Sequence, residues 1–235
     1  MKYQKVEPVF KGVFFDFDGT LVNSEPLHFQ AEECALKSRG VNFNLVDKKE
    51  MVGGTVKGTA EQICLKYGIE DIDSFFIDRQ LVFNRLVESK LDLMPGAKNL
   101  LSSISEAGVV LSLVTSAEPE YVLKVLKNHR IDKLFNTIIT MTDVDQHKPN
   151  PDPYLKALKL TSLKNSECLA IEDSLTGITS AQKADIPCIY VGDEHTGLES
   201  MPDSILKVKS LLDVDIPLLN ELHIARSMDF PLLFF

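Results

Sequence analysis

The sequence predicts an α/β fold: a parallel sheet covered by helices on both faces, with an all-helical unit inserted after the first strand. Three observations predict it. Short apolar runs alternate with amphipathic segments along most of the chain, the runs are rich in β-branched and aromatic side chains, and residues 26–91 carry helical patterns without a convincing strand. Strands that read as continuous apolar runs belong to sheets buried on both faces.

The first run, VFKGVFF at Val9–Phe15, reads as a buried strand, and Gly19 ends it. The insertion follows, with LHFQAEECALKSRG, TAEQICLKYG and SFFIDRQLVFNRLVESK as helical patterns; the last places apolar residues at helical spacing. The chain rejoins the sheet near Met94-Pro95-Gly96. From there helical segments (PGAKNLLSSISEAG, PEYVLKVLKNHR, PDPYLKALKLTSL, LTGITSAQKAD) alternate with strands at Val109–Ser116, Thr137–Thr140, Cys168–Ser174 and Pro187–Gly192. A weaker run, ILKV at Ile205–Val208, is expected at an edge. The expected domains are therefore a discontinuous α/β core, 1–22 and 93–235, and a helical domain, 23–92. An insertion at that point belongs above the carboxyl ends of the strands, where open α/β sheets bind ligands, so a lid is expected. A helical decoration that only adds core is the competing reading.

Composition narrows the function. The chain has 235 residues, 44% of them hydrophobic and 25% charged, enough for one large or two modest domains. A formal charge of −9 argues against a nucleic-acid surface, and an anionic ligand would need a local positive site. No stretch approaches the ~20 apolar residues of a membrane span, and MKYQKVEPVFKG is too polar for a signal peptide, so a cytoplasmic protein with no membrane partner is expected. Cys34, Cys64, Cys168 and Cys188 lie far apart, without CxxC spacing, and read as reduced core residues. The apolar tail FPLLFF at Phe230–Phe235 is expected to dock on the domain or a neighbouring chain; a monomer or weak homodimer fits.

Chemistry concentrates at the strand ends. The stretch FFDFDGTLVNSE puts Asp16 and Asp18 two apart, on one side of an extended backbone, where two carboxylates repel unless a cation or shared proton intervenes. Asp and Gly also make ordinary strand-ending turns, and that alternative stays open for this stretch alone. Thr115 and Ser116 end the second strand, Lys148 follows the third in QHKPNPDPY, and Glu172 and Asp173 end the fourth. In a parallel sheet all of them share one rim.

The elements DFDGTLVNSEPLH, LVTS, KPNPDPY and IEDSLTG, in this order and spacing, resemble the haloacid dehalogenase superfamily of phosphohydrolases. The branch is the one with a helical cap after the first strand, which includes β-phosphoglucomutase and many sugar-phosphate phosphatases. The resemblance spans residues 11–210 and implies a Rossmann-like core with a cap domain. It implies a small phosphorylated metabolite as partner, Asp16 as nucleophile and Asp18 as general acid and base. It also implies Mg²⁺ as cofactor, held by Asp16, the backbone carbonyl of Asp18, and Asp173, with Glu172 close behind. Lys148 would offset phosphate charge, and Thr115 and Ser116 would hold phosphate oxygens. In the cap, His28 matches a histidine common in this branch, and a structural role is an equal reading. Gly53 and Gly54 allow a sharp turn, and Lys57 is either a substrate contact or a surface lysine. Asn23 stands where the family often has Asp. Thr20 fits the phosphatases, since related mutases often have valine there; a phosphomutase is the alternative and a non-catalytic binding module a remote one.

Overall fold

The computed structural model describes residues 6–50, 56–192 and 205–227. The glycine pair Gly53 and Gly54 and the tail Phe230–Phe235 lie outside them. Six parallel strands form one sheet: β1 (Gly12–Phe15), β2 (Val110–Val114), β3 (Thr137–Ile139), β4 (Cys168–Glu172), β5 (Cys188–Val191) and β6 (Leu206–Val208). Their order is β3-β2-β1-β4-β5-β6. The strand order therefore reverses at β1, which pairs with β2 on one side and β4 on the other. A crevice outside the carboxyl ends at such a reversal is the usual ligand site of an open α/β sheet.

Right-handed crossovers between parallel strands require helices, and the chain supplies them. These are α5 (Ala97–Glu106), α6 (Pro119–Asn128), α7 (Asp152–Thr161) and α8 (Leu175–Lys183); α9 (Ile216–Ser227) follows the last strand, and α1 to α4 belong to the insertion. Strands β1, β4 and β5 are buried along their whole length, which is why they read as unbroken apolar runs. One core cluster joins Phe14, Val114, Ile139, Tyr154, Cys168, Ile178 and Tyr190.

All six strands are shorter than the sequence reading has them, and for two the local reason is visible. β1 starts at Gly12, not Val9, because the Val9 N–H donates to Asn220 Oδ1 at 2.8 Å, tying that stretch to α9. β4 stops at Glu172 because Ser174 caps α8, its side chain accepting from the Gly177 N–H at 3.1 Å.

The chain divides into two compact units, 1–22 with 93–235 and 23–92. Among its described residues the second is built of helices alone: α1 (Glu25–Lys37), α2 (Leu45–Glu50), α3 (Val56–Tyr67) and α4 (Ile72–Lys90). Its core gathers Ala35, Leu36, Phe43, Ala60, Ile63, Cys64 and Phe75. Asp71 caps α4, accepting from the Ser74 N–H at 2.9 Å. Of the four cysteines, all free, Cys34 is not a core residue: α1 buries Leu27, Ala31, Ala35 and Leu36, which leaves Cys34 exposed. Among the described residues no helix is long and apolar enough to cross a membrane.

Candidate active site

The register of the sheet assembles the site. Phe15 pairs with Leu113 of β2 and Ile171 of β4, so the residues just beyond these positions emerge together at one edge. Asp16 continues this edge, its N–H donating to the Ile171 carbonyl at 3.0 Å. Lys148, from the loop between β3 and α7, reaches across and donates to Asp16 Oδ1 at 2.6 Å, Glu172 Oε1 at 2.6 Å and the Val114 carbonyl at 2.8 Å. Its side chain is only 6% exposed. An ammonium with three donors, held by two carboxylates and a carbonyl, is a satisfied buried cation.

Among the described residues, Asp16, Glu172 and Asp173 form a group in which one carboxylate oxygen of each lies within 4.8 Å of the other two. Two glycines permit this crowding. Gly19 has φ +80°, and a Cβ there would stand 1.9 Å from Asp173 Oδ2. Gly177, in the first turn of α8, is pressed against Glu172, where a Cβ would meet Oε2 at 1.8 Å. Only a residue without a side chain lets both carboxylates approach so closely.

Electrostatics make the group unstable as three bare anions. Burial raises Asp16, and Lys148 opposes that rise. Burial raises Glu172, Lys148 lowers it and Asp16 raises it, leaving it pushed up to about 7. Asp173 is held well above the ordinary carboxylate range by burial, then by Asp16 and Glu172. Burial alone would lower Lys148, yet the charges of Asp16 and Glu172 outweigh it and the ammonium is held above its ordinary value. Three carboxylates against one ammonium leave two uncompensated negative charges. Glu172 Oε2 is buried with no hydrogen-bond partner among the described residues. A hard divalent cation answers both deficits, since carboxylate oxygens are its preferred ligands.

A pH dependence of stability follows. A carboxyl raised in the folded state binds its proton more tightly there, so its contribution is fully present below the unfolded value and is lost as pH rises through the folded one. With Glu172 at about 7, and Asp16 and Asp173 shifted the same way, the thermal midpoint in chelator is expected to fall between about pH 5 and about pH 8. A midpoint that rises or stays flat over that range would contradict the electrostatics described here.

Thr115 is buried, its Oγ1 accepting from the Ala117 N–H at 3.1 Å, which shapes the turn into α6; Ser116 beside it is exposed. Asp18 is not one of the three clustered carboxylates, although its charge also raises Asp173, and its Oδ1 accepts from the Tyr121 hydroxyl at 2.7 Å. In the helical unit, His28 stacks on Phe83 with ring centroids 4.2 Å apart, and its Nδ1 meets the Arg79 guanidinium. Burial, then Arg79 and Lys48, hold that imidazole well below its usual range. Lys57 is exposed on α3, and Gly54 lies outside the described residues.

Two tyrosines that the sequence did not single out belong to the site. Tyr154, wholly buried, donates to Glu172 Oε1 at 2.5 Å, and Lys148 Nζ lies 5.5 Å from its ring centroid. Tyr121 holds Asp18. Tyr154 ends the motif KPNPDPY, six residues after Lys148, and that proximity was the available signal. Nothing local distinguished Tyr121 from an ordinary helix residue.

A family model described as haloacid dehalogenase-like hydrolase matches residues 13–191. The validoxylamine A 7'-phosphate phosphatase of Streptomyces hygroscopicus subsp. limoneus is 26% identical over 225 residues, covering 93% of this chain and 100% of that protein. The phosphorylated carbohydrates phosphatase of Thermotoga maritima is 25% identical over 214 residues, covering 87% and 97%. Among solved structures, a HAD hydrolase of family IA, variant 3, from Entamoeba histolytica superposes with a TM-score of 0.79 at 26% identity, covering 91% of this chain and 99% of that one.

Proposed function

We propose, since this chain belongs to the haloacid dehalogenase-like hydrolase family, that it is a Mg²⁺-dependent phosphatase of a small phosphorylated metabolite, a sugar or polyol phosphate, acting through an aspartyl-phosphate. The observation that carries the reading is the bridging of Asp16 and Glu172 by Lys148, at 2.6 Å each, beside Asp173. A nucleophilic carboxylate, a buried cation and an acidic group suited to a hard metal are the parts that phosphoryl transfer needs.

In this reading Asp16 attacks phosphorus in line, and the bond to the ester oxygen breaks as the bond to Asp16 forms. Asp18 gives a proton to the departing oxygen, then takes one from the water that releases inorganic phosphate and restores Asp16. Lys148 holds Asp16 in place and offsets charge on the transferring group. Thr115 and Ser116, at the end of β2, offer a hydroxyl and backbone N–H donors to phosphate oxygens. Asp16 and Asp173, with the Asp18 carbonyl and with Glu172 behind, would hold Mg²⁺. When bound, the ion supplies Lewis-acid stabilisation of phosphoryl oxygens and neutralises the two excess charges of the group. Residues 23–92 are the proposed cap domain, with His28, Gly54 and Lys57 as candidates for substrate contact. The name of the Thermotoga relative supports a phosphorylated carbohydrate as substrate, and Thr20 in DFDGT favours hydrolysis over isomerisation.

The test is release of inorganic phosphate from hexose, pentose, polyol and nucleoside monophosphates, with Mg²⁺ and with chelator, alongside conversion of glucose 1-phosphate to glucose 6-phosphate. Metal-dependent release concentrated on sugar or polyol phosphates is expected, with at least about a hundredfold loss in chelator. Isomer conversion with little release would make the protein a mutase. No turnover of any ester would leave it a binding module.

A further inference from the structure

Tyr121 lies in the first turn of α6, and its hydroxyl donates to Asp18 Oδ1 at 2.7 Å. The tyrosine is half-buried, and its ring meets Phe17 edge-on, centroids 5.5 Å apart at 69°. Phe17, between the two aspartates, is fully buried. The phenol is therefore braced by the core at one end and committed to a carboxylate at the other. We infer that Tyr121 is a positioning residue that fixes which oxygen of Asp18 exchanges a proton with substrate. The inference rests on the phosphatase reading above, in which Asp18 is the acid and base.

The argument is one of torsion and proton inventory. The terminal torsion of an aspartate is broad and roughly two-fold, so an unrestrained carboxyl presents either oxygen. In the structure the Tyr121 hydroxyl donates to Oδ1, and a carboxyl oxygen that accepts this bond as a carbonyl leaves the acid proton to the other oxygen. The exchangeable proton of a neutral Asp18 then sits on Oδ2. In the first step the Oδ2–H bond breaks and the leaving oxygen gains that proton as its bond to phosphorus breaks and the Asp16–phosphorus bond forms. In the second, Oδ2 takes a proton from water as the water oxygen bonds to phosphorus and the Asp16–phosphorus bond breaks. Atoms and charge balance as one alcohol and one inorganic phosphate. Tyr121 keeps its own proton throughout, so it acts through Asp18 and does not itself react. Holding a reacting group in its productive orientation is worth a sizeable part of its catalytic contribution.

Leaving groups differ in their need for an acid, and that separates this role from a structural one. A nitrophenolate departs readily without a proton, whereas an alkoxide does not. Tyr121→Phe removes the hydroxyl and keeps the ring against Phe17, and a thermal midpoint close to wild type would confirm an intact fold. Measured as kcat/KM over a series running from nitrophenyl to alkyl phosphates, the variant is expected to lose about tenfold or more on the alkyl ester and less than about threefold on the nitrophenyl ester. Equal losses across the series, or none, would overturn the inference while leaving the phosphatase reading intact. A wild-type protein inactive on the whole series would overturn both, and that outcome appears before any substitution is made.

Discussion

Asp16→Asn is expected to lower kcat on every phosphoester by about 10⁴-fold or more, with the fold retained. The amide lacks the anionic oxygen that must bond to phosphorus, yet it is nearly isosteric and keeps a carbonyl oxygen to accept from Lys148, which stands 2.6 Å from Oδ1 in the native protein. Burial opposes a charge at this position, so the neutral side chain removes an unfavourable term from the metal-free protein. Its thermal midpoint in chelator is expected to equal or exceed that of the wild type. Acid-quenched reactions with labelled substrate supply the direct check, since the native chain should trap a phosphorylated carboxylate and the variant none. Retention of kcat within about tenfold would place the nucleophile elsewhere.

The second large effect concerns Lys148. Lys148→Met preserves much of the side-chain volume but removes a cation that bridges Asp16 and Glu172, the latter fully buried. Loss of phosphate-directed charge should cost about 10²–10³-fold in kcat, the range seen when one preorganised electrostatic donor is deleted. Stability should respond to pH. Leaving buried carboxylates uncompensated costs about 3–5 kcal/mol when they stay ionised. Both groups are already raised by burial, Glu172 to about 7 even beside the lysine. Without the ammonium that lowers them, they take up protons more readily still. The penalty in chelator is therefore expected near its full size at about pH 8 and clearly smaller at about pH 5.5. Urea midpoints for both proteins at the two pH values decide this, and an equal penalty at both would mean that Lys148 contributes packing alone.

The legible part of this chain was the part written in local pattern. Short apolar runs such as CLAIE, too brief for a helix and flanked by turn residues, read as buried strands, and five strands and the sheet edge at Leu206–Val208 were all readable. Acids, hydroxyls and a lysine at strand ends are polar groups at places where a buried strand meets solvent, so their convergence followed from parallel topology. Helix α9 was not legible in the same way, because Ile216–Ser227 carries its apolar residues without a clear one-sided stripe. What ties it in is a pair of hydrogen bonds, Asn220 Nδ2 donating to the Glu7 carbonyl and Asn220 Oδ1 accepting from the Val9 N–H, more than 200 residues away in sequence.

Residue type and order alone thus determined the sheet, the helical insertion and the identity of the acidic strand ends, because burial periodicity and turn chemistry act over a few neighbouring residues. Only the tertiary structure decided which groups share protons and charge. That Lys148 sits between Asp16 and Glu172, that Glu172 leans on Gly177 and accepts from Tyr154, and that Tyr121 engages Asp18 all depend on distances set by strand register and helix placement. Electrostatic and hydrogen-bond energies change steeply over an ångström, and no spacing along a chain encodes an ångström between elements that far apart.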